Sequence, residues 1–82
     1  MKTIVITWND TRPGREGTLL AALWAADGSD TDLNEALDYA AAQRRGRCGH
    51  TKSDVRVHTF ATDNPSWKQD AFDAHNNGRG FR

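Results

Sequence analysis

The sequence predicts an α+β fold, a small sandwich in which a two- to three-stranded sheet carries helices on one face. Three observations lead there. Residues 2–8 and 54–61 alternate and are rich in β-branched residues, as half-buried strands are. Leu33, Ala36, Leu37, Ala40 and Ala41 repeat with the period of an amphipathic helix. A chain of 82 residues makes one domain, near the lower limit at which a single core sustains itself.

The first strand, Lys2 to Trp8, ends in the polar loop Asn9–Gly17, where Pro13 and two glycines break regular structure. Residues 18–26 admit two readings. Leu19, Leu20, Leu23 and Trp24 fall on one helical face, with Thr18 and Gly28 suited to the ends. Leu19, Ala21 and Leu23 also alternate, as in the second strand of a hairpin. Alanine and leucine favour helix, so β-α-α-β-α is the preferred order and β-β-α-β-α the alternative.

A helix over 32–45 follows. Asp32 and Glu35 suit a capping box, acids gather at the positive end of its dipole, and Arg44, Arg45 and Gly46 suit its C-terminus. The strand at 54–61 places Val55, Val57, Thr59 and Ala61 on one face and Arg56, His58 and Phe60 on the other. A last helix starts at Asn64-Pro65-Ser66-Trp67, with Trp67, Ala71 and Ala74 as its apolar stripe. Residues 1–75 thus form the domain, and 76–82 read as a flexible tail.

The expected core comprises Ile4, Val5, Ile6, Trp8, Leu19, Leu20, Leu23, Trp24, Leu33, Leu37, Val55, Val57, Phe60, Trp67 and Phe72. Trp24 and Trp67 belong to helical stripes in this reading, while Trp8 stands half exposed beside Arg12 and Arg15.

A single cysteine rules out an intrachain disulfide, and no apolar run approaches the roughly 20 residues of a membrane helix. The short, β-rich N-terminus does not suit a signal peptide, so a cytoplasmic location is the expectation. Net charge is zero, yet the charges segregate. Asp27, Asp30, Asp32, Glu35 and Asp38 precede a basic stretch holding Arg44, Arg45, Arg47, Lys52 and Arg56. These five basic residues are the candidate partner-binding set. Helix capping accounts for Arg44 and Arg45, whereas Arg47, Lys52 and Arg56 are left for contact with an acidic surface or with phosphates.

No catalytic or metal set emerges from spacing. Cys48, His50, His58 and His75 are all the soft ligands present, and the Cys48–His50 gap is not that of a structural zinc site. Acid–base chemistry would need His58 or His75 to meet Asp63, Asp70 or Asp73. The loop Arg12–Thr18 could offer backbone amides to an anion at a helix start, but it lacks the P-loop lysine. No enzyme, metal or cofactor is therefore expected.

The string Arg15-Glu16-Gly17-Thr18 after the first strand, the helix around Leu33 to Ala42 and the strand around Val55 to Phe60 resemble, in outline, small phage-encoded anti-CRISPR proteins. That resemblance implies a non-enzymatic protein that inhibits a bacterial protein complex by steric occlusion in the host cytoplasm. A nucleic-acid-binding module using residues 44–56 is the alternative, and a homodimer is compatible with either.

Overall fold

The computed structural model describes residues 1–45 and 52–81. Its elements run β1 (Lys2–Asp10), β2 (Leu19–Gly28), α1 (Asp30–Arg44), β3 (Lys52–Ala61) and α2 (Trp67–Asn76). The three strands form one antiparallel sheet in the order β2-β1-β3. The α+β class holds, and the order is β-β-α-β-α. Residues 18–26, where helix is the preferred reading, fall almost entirely within β2, which pairs with β1 from Asn9↔Leu19 to Lys2↔Gly28. The helical preference of alanine and leucine is worth only tenths of a kcal/mol per residue, and cross-strand pairing outweighs it.

The helices lie on opposite faces of the sheet, not on one. Along β1, Ile4 and Ile6 point to the side where they pack with Ala36 and Ala40 of α1 and with Val55 and Val57 of β3. Thr7, the next residue, points the other way and meets His75 of α2. A central strand covered on both sides must carry a buried residue at nearly every position, and Thr3 to Thr7 are all buried.

Thr3 closes the end of the sheet. Its hydroxyl oxygen is 2.9 Å from the carbonyls of both Ala26 and Ala61 and accepts the Asn64 backbone N–H at 3.1 Å. Helix α1 starts earlier than its acidic pattern suggested. Ser29 is the N-cap and forms a reciprocal capping box with Asp32, so Glu35 is not its partner. The buried face of α1 is built from small residues, Ala36 and Ala40, which lets the helix approach the sheet closely.

The tryptophans contribute less to the centre than expected. Trp24 is 37% exposed on β2, where its ring packs against Tyr39 at 5.4 Å, and Leu23 is 40% exposed. Trp67 is half-buried at the start of α2, whose fully covered residues are Ala71 and His75. Residues 77–81, read from sequence as part of a tail, run back along β3. Phe81 and Val57 exchange backbone hydrogen bonds of 2.8 and 2.9 Å, and Arg56 donates to the Arg79 carbonyl at 3.0 Å.

Gly28, at the junction of β2 and α1, brings its backbone close against the core. A Cβ there would stand 2.6 Å from Ile4 Cδ1 and 3.0 Å from Ala25 Cβ. Ile4 is fully buried and can yield only by displacing its neighbours. Gly28→Ala is expected to destabilise the fold by about 1–3 kcal/mol through overpacking. Ser29→Ala should cost about 1 kcal/mol through the lost cap. Urea denaturation followed by circular dichroism measures both.

Candidate functional site

The four described residues among the five basic ones singled out by sequence do not form one patch. Arg47 lies outside the described residues. Arg44 and Arg45 are exposed at the end of α1, where Arg44 donates to the Val55 carbonyl at 3.4 Å and Arg45 is the C-cap. Lys52 and Arg56 are separated by a β-bulge. Thr7 pairs with Arg56 but Asn9 pairs with Ser53, so Trp8 faces two residues of β3, Asp54 and Val55. The extra residue reverses the alternation. Lys52 ends over the Trp8 ring, 5.1 Å from its centroid, on the α1 side. Arg56 lies on the α2 side, with its Nε and a terminal nitrogen donating to the Asp54 carboxylate at 3.0 and 3.2 Å.

The Arg12–Thr18 loop enters a strand, and its amides serve the hairpin. The N–H groups of Arg15, Gly17 and Thr18 donate to carbonyls of Arg12, Asp10 and Arg15. Arg12 grips Asp10 with its own N–H and its guanidinium at 2.9–3.1 Å, and these bonds hold the carboxyl below the usual carboxylate range.

The bulge organises a group of linked polar side chains. Asp54 adopts a φ of 49°, a left-handed conformation that aspartate tolerates better than most residues. Its carboxylate receives Arg56 and also lies 3.0 Å from His75 Nε2. His75 Nδ1 is 2.6 Å from Thr7 Oγ1, which is in turn 2.7 Å from His58 Nε2. Thr7, His75 and His58 are 0%, 7% and 3% exposed. A chain of polar contacts therefore runs from the partly exposed Arg56 and Asp54 through the buried His75, Thr7 and His58, across three elements.

The carboxylate of Asp54 accepts, so His75 presents an N–H to it at Nε2. Thr7 Oγ1 bridges His75 Nδ1 and His58 Nε2, and the direction of these two hydrogen bonds follows the protonation of the two rings. Burial, followed by the nearby charges of His75 and Arg56, lowers the His58 pKa to about 4, which keeps that ring neutral.

Sequence spacing did not bring these residues together. The acid beside His75 is Asp54, whereas Asp73 accepts from Gln69 at 2.9 Å and Asp70 from Asn64 at 2.9 Å. Among the described residues no three of the metal-ligating types cluster. One available signal was the stripe Trp67–Ala71, which extended by four residues puts His75, like Ala71, on the buried face of α2.

Next to His58 is an open cavity of about 370 Å³, bordered by Phe60, Ala74 and Arg79–Phe81. At the other side of the sheet, the outer edge of β2 carries Leu19–Ala26 without a single charge or proline. Comparison with protein-family models, curated proteins and solved structures finds no match to this chain.

The His58 environment makes a signed pH prediction. Its folded pKa of about 4 lies below the ordinary imidazole value near 6.5, so between these limits the unfolded chain binds the extra proton. The His58 contribution to stability is then fully present above pH 6.5 and falls as pH drops toward 4, by on the order of 3 kcal/mol. Urea midpoints across that window should decline in the native protein and decline less in His58→Gln. The Asp10 contribution is lost only at lower pH, since that carboxyl is depressed below 3.8.

Proposed function

We propose that this protein is a non-enzymatic binding protein that captures a protein partner along the outer edge of β2. The observation that carries this reading is the asymmetry of the two sheet edges. Beyond β3, Phe81 already pairs with Val57. Beyond β2 no strand follows among the described residues, and Leu19–Ala26 lacks the lysines, prolines and inward charges that commonly protect an edge. An extended segment of a partner could add to the sheet there through backbone hydrogen bonds, with Leu23 and Trp24 as exposed apolar anchors. Asp63 N–H already occupies the Ala26 carbonyl, which leaves Leu19–Ala25 as the usable stretch.

The dispersal of the basic residues weighs against the nucleic-acid alternative. Lys52 and Arg56 sit on opposite faces, and the Arg56 guanidinium is engaged by Asp54. Arg44, Arg45 and Lys52 can still line the α1 side of an interface. The resemblance to phage-encoded anti-CRISPR proteins supports a narrower form, occlusion of a bacterial protein complex in the host cytoplasm.

Affinity capture from bacterial lysate, compared between variants, tests the edge. Leu23→Glu and Trp24→Glu place charge on the exposed edge strand and should each weaken capture of the same species about tenfold or more. Combined Arg44→Ala, Arg45→Ala and Lys52→Ala should have a smaller effect. Capture that survives both glutamates but is lost in the triple variant would move the interface to the basic residues. Circular dichroism melts establish that each variant is folded.

A further inference from the structure

We infer that the partner fitting the β2 edge is a second copy of this chain, paired antiparallel about a two-fold axis at Ala21. This rests on β2 being the binding edge, as proposed above, and names its occupant.

Three observations converge. The first is the direction of the backbone. The Thr18 carbonyl accepts the Asp10 N–H at 2.8 Å, so Thr18 turns its polar groups toward β1. The register from Asn9↔Leu19 to Val5↔Leu23 is unbroken, and along an antiparallel strand such groups alternate between sides. Leu20 and Ala22 therefore bond inward to β1, while Leu19, Ala21 and Leu23 turn their N–H and C=O groups outward. The hairpin bounds this regular run before Leu19, and the register shift between Ile4 and Val5 bounds it after Leu23.

The second observation is that the run is its own complement. In an antiparallel ladder, residues that exchange hydrogen bonds stand directly opposite one another. A two-fold axis at Ala21, the midpoint of the run, sets Ala21 against its copy and Leu19 against Leu23. Every outward N–H and C=O group of the run then finds a partner. Leu20 falls opposite Ala22, so no charge faces an apolar side chain. Leu23, 40% exposed in the single chain, is covered by Leu19 of the second copy. Such a contact uses the same surface on both copies and closes as a dimer with one continuous sheet.

The third is charge. Arg15 and Asp27 are both exposed and lie equally far from Ala21 in opposite directions along the chain. The two-fold pairing therefore brings Arg15 of each copy toward Asp27 of the other. By the same count Glu16 meets the uncharged Ala26, and Arg12 is already gripped by Asp10. Asp27 is held in place by the Thr62 hydroxyl, which donates to its Oδ1. Each end of the contact thus carries an opposite-charge pair, which fixes the register as well as the orientation.

Sedimentation of the purified full-length protein near pH 7, at concentrations up to about 1 mM, tests the dimer with no other protein present. A strand pair of this length is a small interface, so a micromolar dissociation constant is expected. Arg15→Asp and Asp27→Arg each set like charges at both ends of the contact and should each weaken the dimer about tenfold. Mixed together, the two variants should form a heterodimer about as tight as the native dimer, because only the mixed pair restores opposite charges at both ends. Leu23→Glu, which buries a charge beside Leu19, should weaken the dimer further. Circular dichroism establishes that each variant is folded. A monomer at every concentration overturns the inference, as does a dimer that Leu23→Glu leaves intact or variants that do not recover on mixing. The broader edge reading fails separately: a monomer whose capture from lysate is lost in Leu23→Glu keeps the edge and gives it to a foreign strand. Capture and dimer both unchanged in Leu23→Glu would overturn the two together.

Discussion

Burial of β1 on both faces is the constraint on which the rest of this structure depends. A strand between two helices has no solvated side, so its residues must find partners in two directions. Toward α1 the solution is apolar: Ile4 and Ile6 meet Ala36, Ala40, Val55 and Val57. Toward α2 it is partly polar, because Thr3 and Thr7 bring hydroxyl groups into the interior. A buried hydroxyl without partners would cost on the order of 1–3 kcal/mol. Thr3 discharges this debt to the loop and strand ends. Thr7 discharges it to two histidines, and the buried histidines require partners in turn.

The bulge in β3 follows from that requirement. A regular strand would keep Lys52 and Arg56 on one side and leave nothing to orient Asp54. The additional residue lets Asp54, at positive φ, aim its carboxylate at both Arg56 and His75, and it sends Lys52 to the opposite face. One backbone irregularity therefore anchors the polar chain and breaks up the basic patch. Bulges occur where a side chain must be re-aimed, and this one re-aims a charge.

The sequence made the local elements legible and the long-range ones only in part. The strands at 2–8 and 54–61 and the α1 helix have strong periodic patterns, and local physics largely determines them. Leu19–Ala26 was ambiguous because leucine and alanine suit both states, and only the neighbouring β1 decides between them. The placement of helices on both faces could be inferred only weakly, since Thr3 and Thr7 read as an ordinary solvated side of a strand. Charge runs were visible as composition, but the bulge that separates Lys52 from Arg56 leaves no distinct trace in Ser53-Asp54-Val55. His58 and His75 are separated by 16 intervening residues and meet through Thr7, which lies 51 and 68 positions away from them. Such a cluster belongs to topology and not to any local motif.

The two sheet edges show how these constraints distribute exposure. At the β3 edge, Arg56 reaches past Asp54 to the Arg79 carbonyl, and Phe81 completes the backbone ladder, so the polar chain beneath is sheltered. Among the described residues, none gives the β2 edge such cover along Leu19–Ala25. Its side chains are too small or too exposed to contribute much to the core, and Ala22, Leu23 and Trp24 are all exposed. Packing does not explain an uncharged run of that length on an outer strand, because a polar residue at Ala22 or Leu23 would serve the monomer as well. The proposed pairing with a partner's backbone would account for it, since a strand edge that accepts another strand has to stay free of charge and proline. The residues that stabilise this fold and those left available for contact are therefore separated across the sheet, the first around Thr7 and the second along β2.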